Sequence, residues 1–466
     1  MKAIIYFWMI CESKNKSNLK FQNLKINGQT SLKGEVKING AKNSALVLLA
    51  ASLLTKETIV LNNIPDLSDI QKMKNILKSL GVKLTKNTNL QNNLVINSKN
   101  LHISDLPFEL VNSLRASFFC IGPLLTKLGE ASLALPGGCN IGSRPIDEHI
   151  NGLRALGAEI EIKEGKVKAK ITGSKKRLIG SKIHLGCPSV GATETLIMAA
   201  TLAKGKTIIE NAAREPEVQD LCQMLNKMGA KIYGAGNSKI IIKGVDLLMG
   251  CSHKVIPDRI EAGTFLIAAA ATYSSITVSP VIPKHLKCLI DKLRESGSKI
   301  FIKKDSISIE TKYIRAVNIK TAPFPGFPTD LQAPFTALMS IANGNSKISE
   351  TIFENRMSHV YSLNDMGACI KVRNSTAWIK GVKELRGKNL VGLDLRSTAG
   401  IIIAALAAKG NSSVVGLEHL DRGYENFELK LNKLGANVTR NVNRVLASST
   451  SNLENNTLDS DNYQAA

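Results

Sequence analysis

The chain has few of the residue patterns on which metal-binding, disulfide-stabilised and nucleic-acid-binding proteins depend. None of its eight cysteines forms a CxxC pair, and none of its seven histidines has the spacing of a zinc site. We therefore expect reduced thiols, no disulfide framework, no metal and no cofactor. Aromatic residues make up 5% of the chain and are not interleaved with basic residues, which disfavours a surface on which nucleic-acid bases would stack.

The sequence also lacks a long apolar run. No stretch reaches the roughly 18 residues that a transmembrane helix needs. The short apolar segment at 3–10 follows a single lysine and precedes no small-residue cleavage site, unlike a secretory signal. We interpret residues 1–20 as a disordered N-terminal extension; a cleaved signal or a membrane tether is the alternative. With the reduced thiols, this predicts a cytoplasmic protein without stable membrane association.

Positive charge is abundant by contrast. The 61 lysines and arginines outnumber the 38 acidic residues and give a formal net charge of +23. These basic residues are scattered rather than clustered, whereas a nucleic-acid-binding protein concentrates them in a patch or stripe. The charge therefore favours a site for small anionic substrates over a nucleic-acid partner.

One phrase recurs along the chain. A helix end, a glycine, a small residue and a β-like run return six times, at intervals of 68 to 76 residues. A glycine in this place suits the left-handed backbone position that ends many helices. The six glycines are Gly81, Gly157, Gly229, Gly297, Gly367 and Gly435.

Each repeat reads as a β-α-β-α-β-β unit in which an alanine-rich helix precedes the recurring phrase. We predict an α/β protein with three units in each of two domains; a ring or a solenoid of six units is the alternative. The first domain spans 42–256, and the second combines 21–41 with 257–445. The polar tail at 446–466 is predicted to be disordered. Two such domains would leave a cleft, where ligands commonly bind.

The segment LPGGCNIGSRPIDEHI at 135–150 has the strongest chemical signal. Glycines on both sides of Cys139 allow the backbone to approach a small ligand closely. Arg144 supplies a planar cation that binds carboxylate or phosphate oxygens with two hydrogen bonds. The segment is therefore either a reactive-cysteine loop facing an anion or a glycine-rich turn with an incidental cysteine.

Other charged residues lie where repeats begin or end. Lys42 is placed at a helix N-terminus, where the helix dipole also favours anions. Arg356, Arg396 and Arg422 are each predicted in loops, and together they suggest a small, doubly charged substrate. Asp330 follows a proline-rich stretch that could hold a general base in place, or it is a helix cap.

Two further segments have a structural alternative. Arg115 is predicted on a helix, ELVNSLRASFFC, whose apolar face would pack while the arginine reaches the surface. Ser189 begins the segment SVGAT, which is either an ordinary helix N-cap or a backbone surface on which a flat ring can lie.

Eight blocks together carry a resemblance to a known family. They are NGAKNSALVLLAASLL, LPGGCNIGSRPID, PSVGATET, ENAAREPE, PDRIEAGTF, FPTDLQAPF, FENRMSHV and DRGYE. The combination resembles the UDP-N-acetylglucosamine 1-carboxyvinyltransferases, enolpyruvyl transferases that open peptidoglycan precursor synthesis. The similarity extends from about residue 23 to 445. The related enolpyruvylshikimate phosphate synthases share the six-unit fold but have neither the PGGC loop nor the FPTD block.

The resemblance implies an inside-out α/β barrel of two domains around pseudo-threefold axes. It also implies transfer of the enolpyruvyl group of phosphoenolpyruvate to the 3′-hydroxyl of UDP-N-acetylglucosamine, with release of phosphate. Cys139 would protonate the methylene carbon, hold a covalent adduct at C2 and be alkylated by fosfomycin. Asp330 would accept the proton of the sugar hydroxyl.

Binding roles follow from the same resemblance. Phosphate would contact Lys42, Arg144 and Arg422, and the carboxylate would contact Arg356 and Arg396, with Asn43 also at the phosphoenolpyruvate site. The sugar nucleotide would be bound by Arg115, Arg144, Pro145, Ile146, Asp147, Glu148, Pro188, Ser189, Val190, Gly191, Asp330 and Ile352. Cys187 stands where some members carry a lysine, which puts one uridine contact in doubt.

Two other functions remain as alternatives. One is a catalytically silent paralogue that binds a nucleotide sugar or a nucleic acid, although the set Lys42, Cys139, Asp330 and Arg422 argues against it. The other is the shikimate-pathway enzyme. Phosphate release that depends on one acceptor or the other would separate them.

Overall fold

The computed structural model describes residues 20–86, 92–135, 141–142, 145–172 and 177–444. Seven residues of the glycine-rich segment 135–150 lie outside this described part, at 136–140 and 143–144, and they include Cys139 and Arg144. Residues 1–19 and 445–466 also lie outside it, and they contain the tail predicted to be disordered and all but one residue of the N-terminal extension. The exception is Lys20, which was predicted to be disordered but begins a β-strand.

The strands of the described residues form six small sheets. In chain order they are β1 (Lys20–Asn27), β2 (Lys33–Lys37), β3 (Thr58–Asn62), β4 (Lys83–Lys86), β5 (Leu94–Asn97), β6 (Glu130–Ala134), β7 (Ala158–Lys163), β8 (Lys166–Ile171), β9 (Lys182–His184), β10 (Lys206–Glu210), β11 (Lys231–Tyr233), β12 (Lys239–Lys243), β13 (Cys251–Lys254), β14 (Ser275–Ser279), β15 (Lys299–Ile302), β16 (Ile307–Glu310), β17 (Ile319–Lys320), β18 (Asn345–Ser349), β19 (Cys369–Arg373), β20 (Thr376–Lys380), β21 (Asn389–Val391), β22 (Asn411–Val415) and β23 (Asn437–Arg444).

The α-helices alternate with these strands. They are α1 (Lys42–Ala51), α2 (Ser68–Ser79), α3 (Phe108–Asn112), α4 (Ile121–Leu128), α5 (Asp147–Ala155), α6 (Val190–Thr201), α7 (Pro216–Lys227), α8 (Arg259–Ala271), α9 (Lys287–Glu295), α10 (Gln332–Ser340), α11 (His359–Asp365), α12 (Leu395–Ala407), α13 (Leu417–Leu420) and α14 (Phe427–Lys433). Short 3₁₀ helices occur at Ser52–Leu54, Arg115–Cys120, Pro283–Leu286 and Thr329–Leu331.

Five of the sheets share one arrangement, in which a parallel pair of strands continues into two antiparallel strands. The sheet with the strand order β9, β10, β12 and β11 shows this arrangement in a single stretch of chain. The sheet β6-β8-β7 has three strands, and an isolated parallel bridge from Asp105 to Ser132 takes the place of the fourth. The same short pattern therefore recurs through the chain.

Three strands join sheets that are distant in sequence. β13 pairs in parallel with β3, β2 pairs in parallel with β14, and β1 lies between β22 and β23. The N-terminal strands β1 and β2 thus complete sheets built from the second half of the chain, while β13 completes the sheet of β3, β5 and β4. These exchanges draw the segments 39–42 and 254–258 together, where Gly40 and Pro257 form a β-bridge.

Alanine-rich helices lie inside the molecule. Nearly every residue of α1, α6, α8 and α12 is buried, because their small side chains allow close packing of neighbouring helices and sheets. The buried apolar side chains form two clusters. One contains residues between 45 and 255, and the other contains residues from 24 to 38 and from 260 to 438.

Two local predictions have opposite outcomes. The six repeat glycines all have positive φ, between 90° and 108°, which confirms the predicted left-handed helix ends. The single helix predicted around Arg115 is wrong. α3 ends at Asn112 and a 3₁₀ helix begins at Arg115, because Leu114 between them has an extended backbone and a buried side chain.

No helix in the described part of the chain is both long enough and apolar enough to cross a membrane. The six cysteines in that part are all free thiols.

Candidate active site

The segments 39–42 and 254–258, here called the two crossing segments, bring the N-termini of α1 and α8 together. Asp258 caps α8 by accepting hydrogen bonds from the backbone N–H groups of Ile260 and Glu261, at 2.7 and 3.0 Å. The other carboxylate oxygen of Asp258 accepts the backbone N–H of Lys42, the first residue of α1, at 3.1 Å. One carboxylate therefore ties two helix N-termini to each other, one from each half of the chain.

Lys42 is at the helix N-terminus predicted from the sequence and is only 8% exposed. Its ammonium group donates to Asp69 Oδ2 at 3.2 Å, and Arg422 Nε donates to Asp69 Oδ1 at 3.0 Å. Asp69 is in the first turn of α2 and is 2% exposed. One buried carboxylate therefore holds two cations, one from each half of the chain.

A segment at 421–425 packs against the segment that carries Asp69. The backbone N–H of Ser68 donates to the carbonyl oxygen of Asp421 at 3.1 Å. Glu425 Oε2 accepts both the backbone N–H of Asp66 at 2.9 Å and the side-chain amide of Asn39 at 2.6 Å. These contacts hold Arg422 against the first half of the chain.

A second group of charges surrounds Asp330. Arg356 Nη2 donates to one oxygen of this carboxylate at 2.5 Å, and Arg396 Nη2 donates to the other at 3.3 Å. Asp330 lies in the 3₁₀ turn Thr329–Leu331 and caps no helix with its side chain, so the structure does not favour the helix-cap alternative. Arg356 is in a loop as predicted, but the loop prediction for Arg396 is wrong. Arg396 is in the first turn of α12, because Asp394 caps that helix.

Neighbouring polar groups fix the two arginines. Arg356 Nη1 donates to the hydroxyl of Thr329 at 2.8 Å, and that hydroxyl donates to Glu350 at 2.8 Å. The guanidinium of Arg396 lies 5.4 Å from the centroid of the buried Tyr424 ring, whose hydroxyl is hydrogen-bonded to Thr264. Both cations therefore have little freedom to move.

The electrostatics of the two groups are coupled. Burial lowers the pKa of the Lys42 ammonium more than Asp69 raises it, and Arg396 and Arg422 lower it further. Burial raises the pKa of Asp330, but Arg396, Arg356 and Lys42 outweigh that effect and hold it far below the ordinary carboxyl range. The pKa of Asp69 is also lowered, because Lys42 and Arg422 together outweigh its burial.

Two described residues of the glycine-rich loop, Ile141 and Gly142, contact the segment before Arg356. The backbone N–H of Asn355 donates to the carbonyl oxygen of Ile141 at 3.1 Å, one residue before Arg356. Gly142 has a φ of 136°, and a Cβ atom placed there would collide with the side-chain carboxylate of Glu354. The loop that contains Cys139 and Arg144 therefore has its far end in contact with the second half of the chain.

Most of the residues predicted to bind the sugar nucleotide lie at the starts of two neighbouring helices, α5 and α6. Ile146 precedes α5, and Asp147 and Glu148 form its first turn, where Glu148 accepts the backbone N–H of Gly186 at 3.0 Å. Ser189 caps α6 by accepting from Ala192 at 3.3 Å, so the N-cap interpretation is confirmed. The members of the set at these two helix starts are all exposed or partly exposed: Pro145, Ile146, Asp147, Glu148, Pro188, Ser189, Val190 and Gly191.

His149 links these two helices with the Arg115 segment. A Cβ atom on Gly191 would lie 3.0 Å from His149 Nε2, and the His149 ring packs edge-on against Phe118 at 5.3 Å. Burial, together with the nearby Arg115 cation, lowers the pKa of His149 to about 4. Arg115 therefore lies near the start of α6, on the same side as the sugar-nucleotide set.

Asn43 and Ile352 complete the predicted set. Asn43 follows Lys42 and its side chain is exposed. The backbone N–H of Ile352 donates to Glu350 at 2.8 Å, which places it two residues from the carboxylate that supports Thr329.

Sequence reasoning missed Asp69, Glu350, Tyr424 and Asp258. Asp69 looks like an ordinary acidic residue in the first turn of a helix, where the dipole alone would favour it. Tyr424 stands two residues after Arg422, and that spacing was the only sequence signal for its role. The arrangement as a whole concentrates four cations on two carboxylates, which suits a small substrate with a phosphate and a carboxylate.

Comparisons with known proteins support this chemistry. The family model for EPSP synthase (3-phosphoshikimate 1-carboxyvinyltransferase) matches residues 26–431. A UDP-N-acetylglucosamine 1-carboxyvinyltransferase of Prochlorococcus marinus strain MIT 9312 is 70% identical over 94% of this chain and 95% of its own length. A protein of the same name from strain NATL2A is 57% identical over 96% of this chain and 97% of its own length.

Two solved structures share the fold. The enolpyruvyl transferase NikO from Streptomyces tendae has a TM-score of 0.81 at 22% identity, covering 91% of this chain and all of that one. EPSP synthase from Acinetobacter baumannii has a TM-score of 0.70 at 18% identity, covering 90% of this chain and all of that one. The fold is therefore the mixed α/β fold of enolpyruvyl transferases, with six small sheets.

Proposed function

The chain belongs to the UDP-N-acetylglucosamine 1-carboxyvinyltransferase family, and from this we propose that it transfers the enolpyruvyl group of phosphoenolpyruvate to the 3′-hydroxyl of UDP-N-acetylglucosamine. Phosphate is released, and the product is the first committed precursor of peptidoglycan. The observation that carries the proposal is the convergence of Lys42, Arg422, Arg356 and Arg396 on Asp69 and Asp330.

The reaction has an addition and an elimination. In the addition, C3 of phosphoenolpyruvate gains a proton, the sugar oxygen forms a bond to C2, and the hydroxyl proton leaves. In the elimination, C3 loses a proton, the bond from C2 to the phosphate oxygen breaks, and the double bond forms again. An acid on one face and a base beside the hydroxyl are required. Cys139 is the proposed acid and covalent-adduct residue, and Asp330 is the proposed base.

The cations stabilise the substrate and the departing group. Lys42, Arg144 and Arg422 bind the phosphate, and Asn43 adds a polar contact beside Lys42 at the start of α1. Arg356 and Arg396 bind the carboxylate. The Arg356 Nε group, which is buried and has no hydrogen-bond partner among the described residues, supports this role because it leaves one donor for a ligand.

Asp330 and the substrate carboxylate compete for the same two arginines. With both guanidiniums on Asp330, its pKa is held so low that it is a poor proton acceptor. When the substrate carboxylate takes over part of the positive charge, the basicity of Asp330 rises. Binding of phosphoenolpyruvate therefore activates the base that the reaction needs.

The sugar nucleotide binds beside this region, on the starts of α5 and α6. Arg115, Arg144, Pro145, Ile146, Asp147 and Glu148 contact it from the first side, and Pro188, Ser189, Val190 and Gly191 contact it from the other. Exposure of the two helix starts and the nearby Arg115 cation support this assignment, because uridine and diphosphate need a polar, positively charged surface. Asp330 and Ile352 face its sugar ring.

The same proposal extends to the architecture and location. We assign the two apolar clusters to two domains of three β-α-β-α-β-β units each, in an inside-out barrel, with the border at 41/42 and 256/257. A cytoplasmic location is supported by the free thiols of the described residues and by substrates that are made inside the cell.

A phosphate-release assay with two acceptors tests the proposal. We expect release from phosphoenolpyruvate with UDP-N-acetylglucosamine and none with shikimate 3-phosphate. The second acceptor is included because the matching family model carries the name of the shikimate-pathway enzyme. Release with shikimate 3-phosphate alone would replace the proposed substrate. A folded protein that releases phosphate with neither acceptor would contradict the proposed reaction.

A further inference from the structure

A chain of polar groups that the proposed reaction does not use contacts the first turn of α1, which begins at Lys42. The hydroxyl of Ser44, two residues after Lys42 in α1, donates to Asp220 Oδ2. Asp220 Oδ1 accepts the Nε2–H of His253 at 2.8 Å, and His253 Nδ1 lies 3.3 Å from the Lys227 ammonium. Ser44, Asp220 and His253 are all at most 3% exposed.

Asp220 connects the first turn of α1 with the crossing segment 254–258 through two hydrogen bonds. It holds Ser44 directly, and it also accepts the backbone N–H of Ile256 at 3.4 Å. The carbonyl oxygen of Ile256 in turn accepts the backbone N–H of Ala41 at 2.7 Å. Asp220 therefore fixes the residues on both sides of Lys42.

The Lys227 ammonium determines how His253 can serve this network. An ammonium group only donates, so it donates to Nδ1 and leaves the ring proton on Nε2. The Nε2–H group then points its proton at Asp220, which needs a donor because its carboxylate is buried. Donation therefore runs from the exposed Lys227 through His253 to Asp220, and Ser44 donates to the other oxygen of the same carboxylate.

We propose that Asp220, held by His253 and Lys227, is a positioning residue that sets the place of Lys42 through Ser44 and the crossing segment. This inference rests on the proposed function, in which Lys42 binds the phosphate of phosphoenolpyruvate. The other cations of the site are held by groups outside this network, so only the Lys42 contact depends on Asp220.

Paired serine variants of α1 test the inference by steady-state kinetics. Ser44→Ala removes the bond to Asp220. Ser52→Ala is the matched control, because Ser52 is buried just beyond the other end of α1 and its hydroxyl bonds to Leu49 of that helix. We expect Ser44→Ala to raise the KM for phosphoenolpyruvate five- to tenfold, with kcat and the KM for the sugar nucleotide within twofold. A loss of ground-state and transition-state binding together produces this split.

Conservative variants separate positioning from general loss of structure. His253→Gln keeps a donor towards Asp220 and an acceptor towards Lys227, and it should behave like the wild type. His253→Leu should raise the KM for phosphoenolpyruvate as Ser44→Ala does. Equal KM values for His253→Leu and His253→Gln, or a Ser44→Ala effect no larger than that of Ser52→Ala, would overturn the inference.

Labelling of Lys42 gives a result that does not depend on turnover. An amine-reactive acylating reagent with peptide mass spectrometry measures the modification rate of this buried lysine. We expect Ser44→Ala and Asp220→Ala to speed modification of Lys42 at least threefold, with Asp220→Asn and Ser52→Ala close to the wild type. Unchanged labelling in Ser44→Ala and Asp220→Ala refutes positioning even where the wild type is active. If the wild type is inactive but labelling changes as expected, only the proposed function fails.

Discussion

Replacing Asp330 by asparagine should weaken catalysis but tighten binding of phosphoenolpyruvate. The amide has the shape of the carboxylate, so the fold around Arg356 and Arg396 is kept while one negative charge is removed. Turnover should fall at least about 100-fold, as expected for loss of a general base. Affinity should rise, because the two arginines then give their full charge to the substrate carboxylate.

The size of the gain in affinity follows from the charges. Asp330 is a quarter exposed at its side chain, so an effective dielectric constant between those of water and the protein surface applies. At a dielectric constant of about 40 and a separation of about 6 Å, two unit charges interact by about 1.4 kcal/mol. Removing that repulsion should tighten the Kd for phosphoenolpyruvate about tenfold.

Isothermal titration calorimetry of phosphoenolpyruvate, beside phosphate-release kinetics, measures both effects. Glu428→Gln is a matched control, because Glu428 is also a carboxylate with an arginine partner, Arg440, but lies outside the two groups of charges. The control should leave the Kd unchanged. An unchanged or weaker Kd for Asp330→Asn would refute the competition between Asp330 and the substrate.

Three other changes test separate parts of the structure. Glu194 is buried, its Oε1 has no hydrogen-bond partner among the described residues, and burial raises its pKa well above the ordinary value, so its native state keeps a proton that the unfolded chain loses above about pH 4. Glu194→Gln should therefore raise Tm at pH 8 and flatten the decline of stability with rising pH; a lower Tm at pH 8 would contradict this. Gly142→Val should slow fosfomycin alkylation of Cys139 severalfold, because its side chain would collide with Glu354 and move the loop, and an unchanged rate by mass spectrometry would count against that contact. Cys139→Asp should keep turnover but lose the fosfomycin adduct, because a carboxylic acid can still donate a proton; a variant alkylated like the wild type would mean that another cysteine reacts.

Local patterns predicted much of the fold. The repeat glycines marked helix ends correctly because a left-handed residue is a local requirement that the sequence must satisfy at that position. The start of α1 at Lys42 and the cap at Ser189 were also predictable, because the signals for the start of a helix lie in the few residues around it. The helix around Arg115 was mispredicted because tertiary packing of Leu114 interrupts a sequence that has helical periodicity.

Pairing between distant strands could not be predicted in detail. β13 joins β3 across about 190 residues of chain, and nothing in the short sequence CSHK specifies that partner. Asp69 and Tyr424 were missed because their roles depend on residues that are distant in the sequence.

Asp69 holds Lys42 and Arg422, and Tyr424 packs against Arg396. The site residues that were predicted came from the resemblance of whole blocks, not from charge patterns alone.

The proposed reaction forms an enolpyruvyl ether on UDP-N-acetylglucosamine. Its most direct test is to incubate the purified protein with phosphoenolpyruvate and UDP-N-acetylglucosamine and to identify the product by mass spectrometry and proton NMR. We expect a sugar nucleotide that carries one enolpyruvyl group at the 3′-oxygen, with two vinyl protons and an equal amount of released phosphate. A sugar nucleotide recovered unchanged beside folded protein, or an enolpyruvyl group at another position, would contradict it.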